Sequence, residues 1–307
     1  MHRLTILLLL FVCLSVHAQQ FGTEWMAPPS PNDSSCMWFR RTFISEGPDT
    51  QPRRAAVCIA TAARFMLYVN GRNVTTSLLM PGYKQAGVST VAVTIDVTRF
   101  LRPDSNTVAI LLAPGKHLSA CFFGTDVRRH PFADASTEGW LCHASSTSIT
   151  ANGELTDGRS DSLPPAYGDM VIAQWQPVAT VAPDCATPAD YGISAESIFG
   201  YSSKSYNSLT DNSLYAHTIL HPRLDYADTR RAVYVTDHGF CGFVRVTLRG
   251  CQRGERISIG NLTYICSGEM DEQAFTRFCP IYTRRIAISG DRLFNTGQIQ
   301  EVEAICI

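Results

Sequence analysis

A strict two-residue alternation of apolar and polar side chains constrains this chain most. Val91, Val93, Ile95 and Val97 alternate with Ala92, Thr94, Asp96 and Thr98, which puts one set on each face of an extended strand. The same period returns where Val244, Val246 and Leu248 interleave with Arg245, Thr247 and Arg249. It returns again where Val302, Ala304 and Cys306 interleave with Glu301, Glu303 and Ile305. An amphipathic helix needs apolar residues three and four apart, and no long stretch has that spacing. The expected fold class is all-β.

Turn chemistry divides the strands. Residues 54–74 predict a β-hairpin: Ala56–Ala60 and Phe65–Val69 are apolar runs, and Asn70-Gly71 supplies the positive φ angles of a two-residue turn. Pro103–Asn106 is a turn before a deeply buried strand over Thr107–Ala113. Further strands are expected at Ile257–Ile259 and Arg285–Ser289, the latter closed by Gly290-Asp291. Residues 114–188 are looser, with apolar islands at Cys121–Phe123, Ile149 and Met170–Ile172, and residues 187–230 are polar with room for one short helix. Short strands and frequent turns predict two β-sandwich domains, residues 19–185 and 186–307, with a junction near Pro183–Pro188.

The first residues predict the compartment. A polar, cationic start (Met1-His2-Arg3), an apolar run from Leu4 to Leu14 interrupted by Thr5, and Val16-His17-Ala18 form the three-part layout of a secretory signal peptide over residues 1–18. The run is shorter than the roughly 20 residues a membrane-spanning helix needs, so the expectation is a secreted or periplasmic protein with no membrane span. With 26 basic and 27 acidic residues, no electrostatic footprint for nucleic acid is present. Ten of the 11 cysteines lie beyond the leader and none forms a C-x-x-C motif, which argues against a zinc ribbon or thioredoxin-like site. Export permits disulfides; a few bridges are expected, with no pairing assigned.

No segment has a complete catalytic apparatus. Glu269, Asp271 and Glu272 form the densest acidic cluster, but residues so close in sequence suit a solvated turn better than a hydrolase pair facing across a cleft. The six histidines after residue 100 lack zinc-site spacing, and no Gly-x-Ser-x-Gly elbow occurs. Asn70 and Asp96 are read as turn residues. Glu154, Asp157 and Arg159 can hydrogen-bond vicinal sugar hydroxyls or form an internal salt bridge fixing a loop. Of the tryptophans, Trp38 and Trp175 are assigned to the core, and Trp140 with Tyr83 is the preferred exposed pair for stacking on a sugar ring.

Several segments occur in an order that resembles a known family: the Ala-rich strand, Phe65–Arg72, Pro81-Gly82-Tyr83, Ile95–Thr98, Asn106 before an apolar strand, Ile149–Arg159, and Trp175–Val178. They resemble the N-terminal sugar-binding-type β-sandwich of bacterial α-L-rhamnosidases. Val233–Gly239 and Gly242–Val246 resemble the β-domain that follows it. One departure is Gly115-Lys116-His117, where relatives carry Gly-Trp-Tyr. The resemblance implies jelly-roll, galactose-binding-like sandwiches. In that family two carboxylates of a following α/α-barrel perform inverting hydrolysis, and this chain ends at Ile307, where such a barrel would begin. It thus implies a secreted non-catalytic carbohydrate-binding or glycan-associated protein, with Tyr83, Trp140, Glu154, Asp157 and Arg159 as sugar-binding candidates and no catalytic residue assigned. The implied partner is a glycan, rhamnose-containing by analogy, and calcium is the cofactor the analogy allows. The alternatives are an assembly partner of a separately encoded glycosidase catalytic chain, and a fragment of a rhamnosidase-type glycoside hydrolase.

Overall fold

A computed structural model describes residues 24–30, 34–75, 77–80, 91–114, 117–160, 175–181 and 214–307. Tyr83, the leader, and the domain junction near Pro183–Pro188 lie outside the described residues.

Strands dominate, as the two-residue period requires. A six-stranded sheet orders Ala179–Val181, Trp25–Ala27, Leu118–Asp126, Pro52–Thr61 and Val91–Asp96, with Pro131–Asp134 added beside Leu118–Asp126. It packs on the N-terminal part of a 15-stranded sheet, in which Gly153–Asp157, Leu141–Thr150, Ser35–Ile44, Ser105–Leu112 and Phe65–Val69 run side by side. Between these layers lies a core that includes Phe39, Val57, Ile59, Phe65, Leu67 and Ile110. Alternation decides the inward set: Phe65, Leu67 and Val69 are buried, and Met66 and Tyr68 between them are partly exposed.

The C-terminal half is built around the 19-residue strand Arg231–Arg249. It pairs with Arg223–Ala227, Asp271–Phe275, Ile281–Gly290 and Ile299–Cys306. Its core holds Val244, Val246, Leu248, Ile257, Ile286 and Phe294. The halves share backbone hydrogen bonding, because Gly153–Asp157 pairs in parallel with Leu262–Ile265, making the large sheet continuous from one half to the other.

One sequence expectation needs correcting. Asn70 (φ 51°) and Gly71 (φ 81°) do make a two-residue turn, but it joins Phe65–Val69 to the short strand Arg72–Asn73. Ala56–Ala60 is not its partner. That run belongs to Pro52–Thr61, which pairs with Val91–Asp96 and Leu118–Asp126 in the other layer. The two apolar runs are opposite walls of one core, and local pattern alone does not distinguish this from a hairpin. Asp96 holds the turn expected of it, its carboxylate accepting the Thr98 N–H at 2.8 Å.

Candidate functional site

The outer face of the large sheet turns from apolar to polar where the halves meet. Cys36, Trp38, Ala109, Leu111 and Ala113 point away from the N-terminal core and pack with Phe278 from the second half. Beside this contact opens a cleft of about 370 Å³. The first half contributes Trp38, Tyr68 and Leu111 from three adjacent strands, and Ser145–Thr147 from the bulge between Ala144 and Ser148. The second half contributes Arg253, Tyr264, Glu269, Asp271–Gln273, Phe275 and Arg277. The Trp38 and Tyr68 rings lie 5.3 Å apart, tilted by 58°. Tyr68 is half-buried, and Trp38 is 5% exposed.

The acidic groups around this cleft are engaged by neighbours. Glu272 accepts from the Tyr264 hydroxyl at 2.9 Å and from the Ser267 and Gly268 N–H groups at 2.7 and 2.9 Å. Burial and the adjacent Glu272 carboxylate push the Tyr264 hydroxyl well above its ordinary range. Asp271 is forked by Arg249 at 2.7 and 3.2 Å, and that bond holds its carboxyl below the usual range. Glu269 is exposed at the rim. The solvated turn expected of these three acids holds for Glu269 alone: Asp271 and Glu272 begin the strand Asp271–Phe275, and Glu272 is 5% exposed.

The four sugar-binding candidates among the described residues separate. Asp157 and Arg159 form a bidentate pair at 2.9 and 2.7 Å, whose bonding lowers the Asp157 carboxyl and raises the Arg159 guanidinium. Arg253 donates to the Arg159 carbonyl at 3.3 Å and to the Ser267 carbonyl at 3.0 Å. The pair thus fixes a loop at the cleft edge, with Arg159 lining it. Glu154 is elsewhere: it is 2% exposed, and its carboxylate accepts the backbone N–H groups of Arg277 and Phe278 at 2.9 and 3.0 Å. It is a latch between the halves.

Trp140 also needs correcting. Its context reads as a loop, yet it is 3% exposed and belongs to the N-terminal core, edge-on to Phe43. Gly139, at φ 75°, turns the chain just before it and aims the ring inward. Trp38 is a core residue as expected, and Trp175 packs half-buried against the same cluster.

Sequence reasoning missed Tyr68, Arg253, Gln273 and Arg277 as cleft residues, because pairing across the halves brings them together and no local pattern records that pairing. It also missed His221, whose ring nitrogen lies 3.4 Å from Glu301. With Glu303 these residues bring their ligand atoms within 4.8 Å of one another. Arg245 already forks both oxygens of Glu303, which makes the group an ion-pair network. Calcium takes six to eight oxygen ligands, whereas this group offers one imidazole and two carboxylates.

Residues 50–146 match the family model described as the alpha-L-rhamnosidase N-terminal domain. No curated protein matches the chain. The fold is similar to that of the alpha-L-rhamnosidase from Dictyoglumus thermophilum, with a TM-score of 0.72 and 16% identity over 93% of this chain and 35% of that one. It is similar to the Aspergillus terreus enzyme, with a TM-score of 0.68 and 14% identity over 93% of this chain and 36% of that one. The Streptomyces avermitilis alpha-L-rhamnosidase, solved with L-rhamnose, gives a TM-score of 0.68 and 16% identity over 90% and 29% of the two chains. The chain thus spans about a third of each enzyme. At these identities the likeness establishes a common fold, and the expected resemblance to rhamnosidase β-domains stands.

Proposed function

We propose that this chain is an exported, non-catalytic glycan-binding protein that uses rhamnosidase-like β-domains as a recognition surface. The observation that carries this reading is the cleft between the halves. It is lined by Tyr68, hydroxyls, Gln273 and guanidinium groups, and its carboxylates are engaged in ion pairs or hydrogen bonds except at the rim. Such a lining suits recognition of a polyhydroxylated ring, by stacking on Tyr68 and by hydrogen bonds to hydroxyls. Glycoside hydrolysis of the usual inverting kind needs two carboxyl groups set apart across the scissile bond. Recruitment of a rhamnose-containing glycan follows by analogy with the matched family, and calcium is the ion to include in the test.

The experiment is calorimetric titration of the purified chain with rhamnose-containing oligosaccharides, with and without calcium, repeated with Tyr68→Ala and Gln273→Ala. Binding that weakens at least fivefold in both variants supports the cleft. Equal binding by variants and wild type moves the site elsewhere.

A second reading, an assembly partner for a glycosidase chain, is favoured by one observation. All five residues of the strand Arg223–Ala227 are exposed, Leu224 and Tyr226 among them. A stable complex with such a chain on size exclusion, lost in a Leu224→Asp, Tyr226→Asp variant, would support it.

A further inference from the structure

Among the described residues, four of the cysteines beyond the leader fall into two pairs once the chain is folded. Cys58 in Pro52–Thr61 and Cys121 in Leu118–Asp126 stand directly opposite each other in an antiparallel ladder. Partners in such a ladder share a face and lie about 4.5 or 5.5 Å apart at Cα, both inside the roughly 4.4–6.8 Å that a disulfide spans. Both are buried in one small apolar cluster with Trp25, Ala60 and Phe123.

The second half holds another pair. Gly250, at φ 71°, turns the chain out of the long strand, and Cys251 follows. The loop folds back so that Gly254 donates to the Cys266 carbonyl at 2.9 Å and Cys266 donates to the Glu255 carbonyl at 2.8 Å. Cys251 and Cys266 are 5% and 0% exposed and are buried in the same core, with the Cys251 thiol close enough to act on that of Cys266.

Nearness alone is not the criterion. Cys241 and Cys306 are also neighbours, but Gly242 stands opposite Cys306. Adjacent residues of a strand point to opposite faces, so that pair is turned apart.

We propose that Cys58 with Cys121, and Cys251 with Cys266, are disulfide bonds of the exported protein. In each pair two S–H bonds break and one S–S bond forms. The oxidant is a small-molecule or protein disulfide, whose own S–S bond takes up the two electrons and two hydrogens to become two thiols.

The surroundings dictate when this happens. Burial pushes the Cys58 thiol up to about 11 and the Cys121 thiol up to about 12. Contact with Cys251, burial, and the charges of Glu272 and Glu255 push Cys266 up as well. Exchange proceeds through the thiolate, so the folded pairs are poor at opening or closing bonds. They close while the sheets assemble, and afterwards they are structural.

The proposal rests on the export proposed above, so its test has an arm that does not. The full chain, carrying its own residues 1–18, is made in a host that exports it, denatured with alkylating agent and no reductant, and digested for mass spectrometry. The full chain made without export is refolded in mixed oxidised and reduced glutathione and treated identically. The expected result is peptides linked through 58–121 and 251–266 in both samples, with reduction lowering Tm by roughly 10 °C. Links in the refolded chain alone keep the pairing and remove the export. Alkylation of all four cysteines in the refolded chain, or links to other partners, overturns the proposal.

Discussion

The carboxylate of Glu154 accepts the backbone N–H of Phe278 at 3.0 Å from across the junction between the two halves of the chain. The same carboxylate accepts the Arg277 N–H, so one buried acid closes a turn that would otherwise leave two donors unpaired. Glu154→Ala is expected to cost about 2–4 kcal/mol by urea unfolding, from two orphaned donors.

The pH dependence of this latch has a definite sign. Burial raises the Glu154 carboxyl above its ordinary range, against the backbone N–H groups and Arg277, which lower it. A carboxyl raised in the folded state favours folding most at pH below its unfolded pKa, and that contribution is lost as pH rises through the folded value. Wild type should therefore gain stability relative to Glu154→Gln as pH falls from 7 to about 4. Parallel unfolding midpoints at both pH values would contradict this.

The parallel pairing of Gly153–Asp157 with Leu262–Ile265 depends on a missing side chain. Gly153 sits at φ 118°, and a Cβ there would collide with the Asn261 carbonyl. Gly153→Ala is expected to cost at least about 3 kcal/mol, combining strain with a forced separation of the two strands. Amide exchange at residues 262–265 should accelerate with it.

Asn70 carries more than its turn. It holds a positive φ, its side-chain nitrogen donates to Phe100 and Asn106, and its side-chain oxygen accepts the Thr107 N–H at 2.9 Å. Asn70→Gly keeps the backbone conformation and loses the network; Asn70→Ala loses both. Thermal unfolding should rank wild type above the Gly variant and the Gly variant above the Ala variant, with the last about 2–4 kcal/mol below wild type.

The Arg245–Glu303 pair titrates in the opposite sense to Glu154. Hydrogen bonding from Arg245 lowers the Glu303 carboxyl, so its stabilisation is present above the ordinary carboxylate range and lost as pH falls through the lowered value. Glu303→Gln is expected to cost about 1–2 kcal/mol at pH 7 and close to nothing near pH 2.

Much of this fold was legible in the residues. Alternation at Val244–Leu248 and Val302–Cys306 marks strands that do form, because a two-residue period can bury only one face. The Asn70-Gly71 turn was legible for the same local reason. The partner of each strand was not: Ala56–Ala60 and Phe65–Val69 are close in sequence and lie in different sheets. The cleft was less legible still. Asp157 and Arg159 were found at its edge through their hydrogen-bonding chemistry, but Tyr68 and Arg277 meet only through the junction of the halves. Trp140 was misplaced because a loop-like neighbourhood says nothing about the direction in which Gly139 turns the chain.

Recognition without chemistry is the central claim, and one sample tests it. The purified chain is titrated with rhamnose-containing oligosaccharides while free rhamnose is assayed in the same cell. The account predicts a saturable isotherm with no rhamnose released above the protein-free control. Rhamnose release that scales with protein concentration would contradict it.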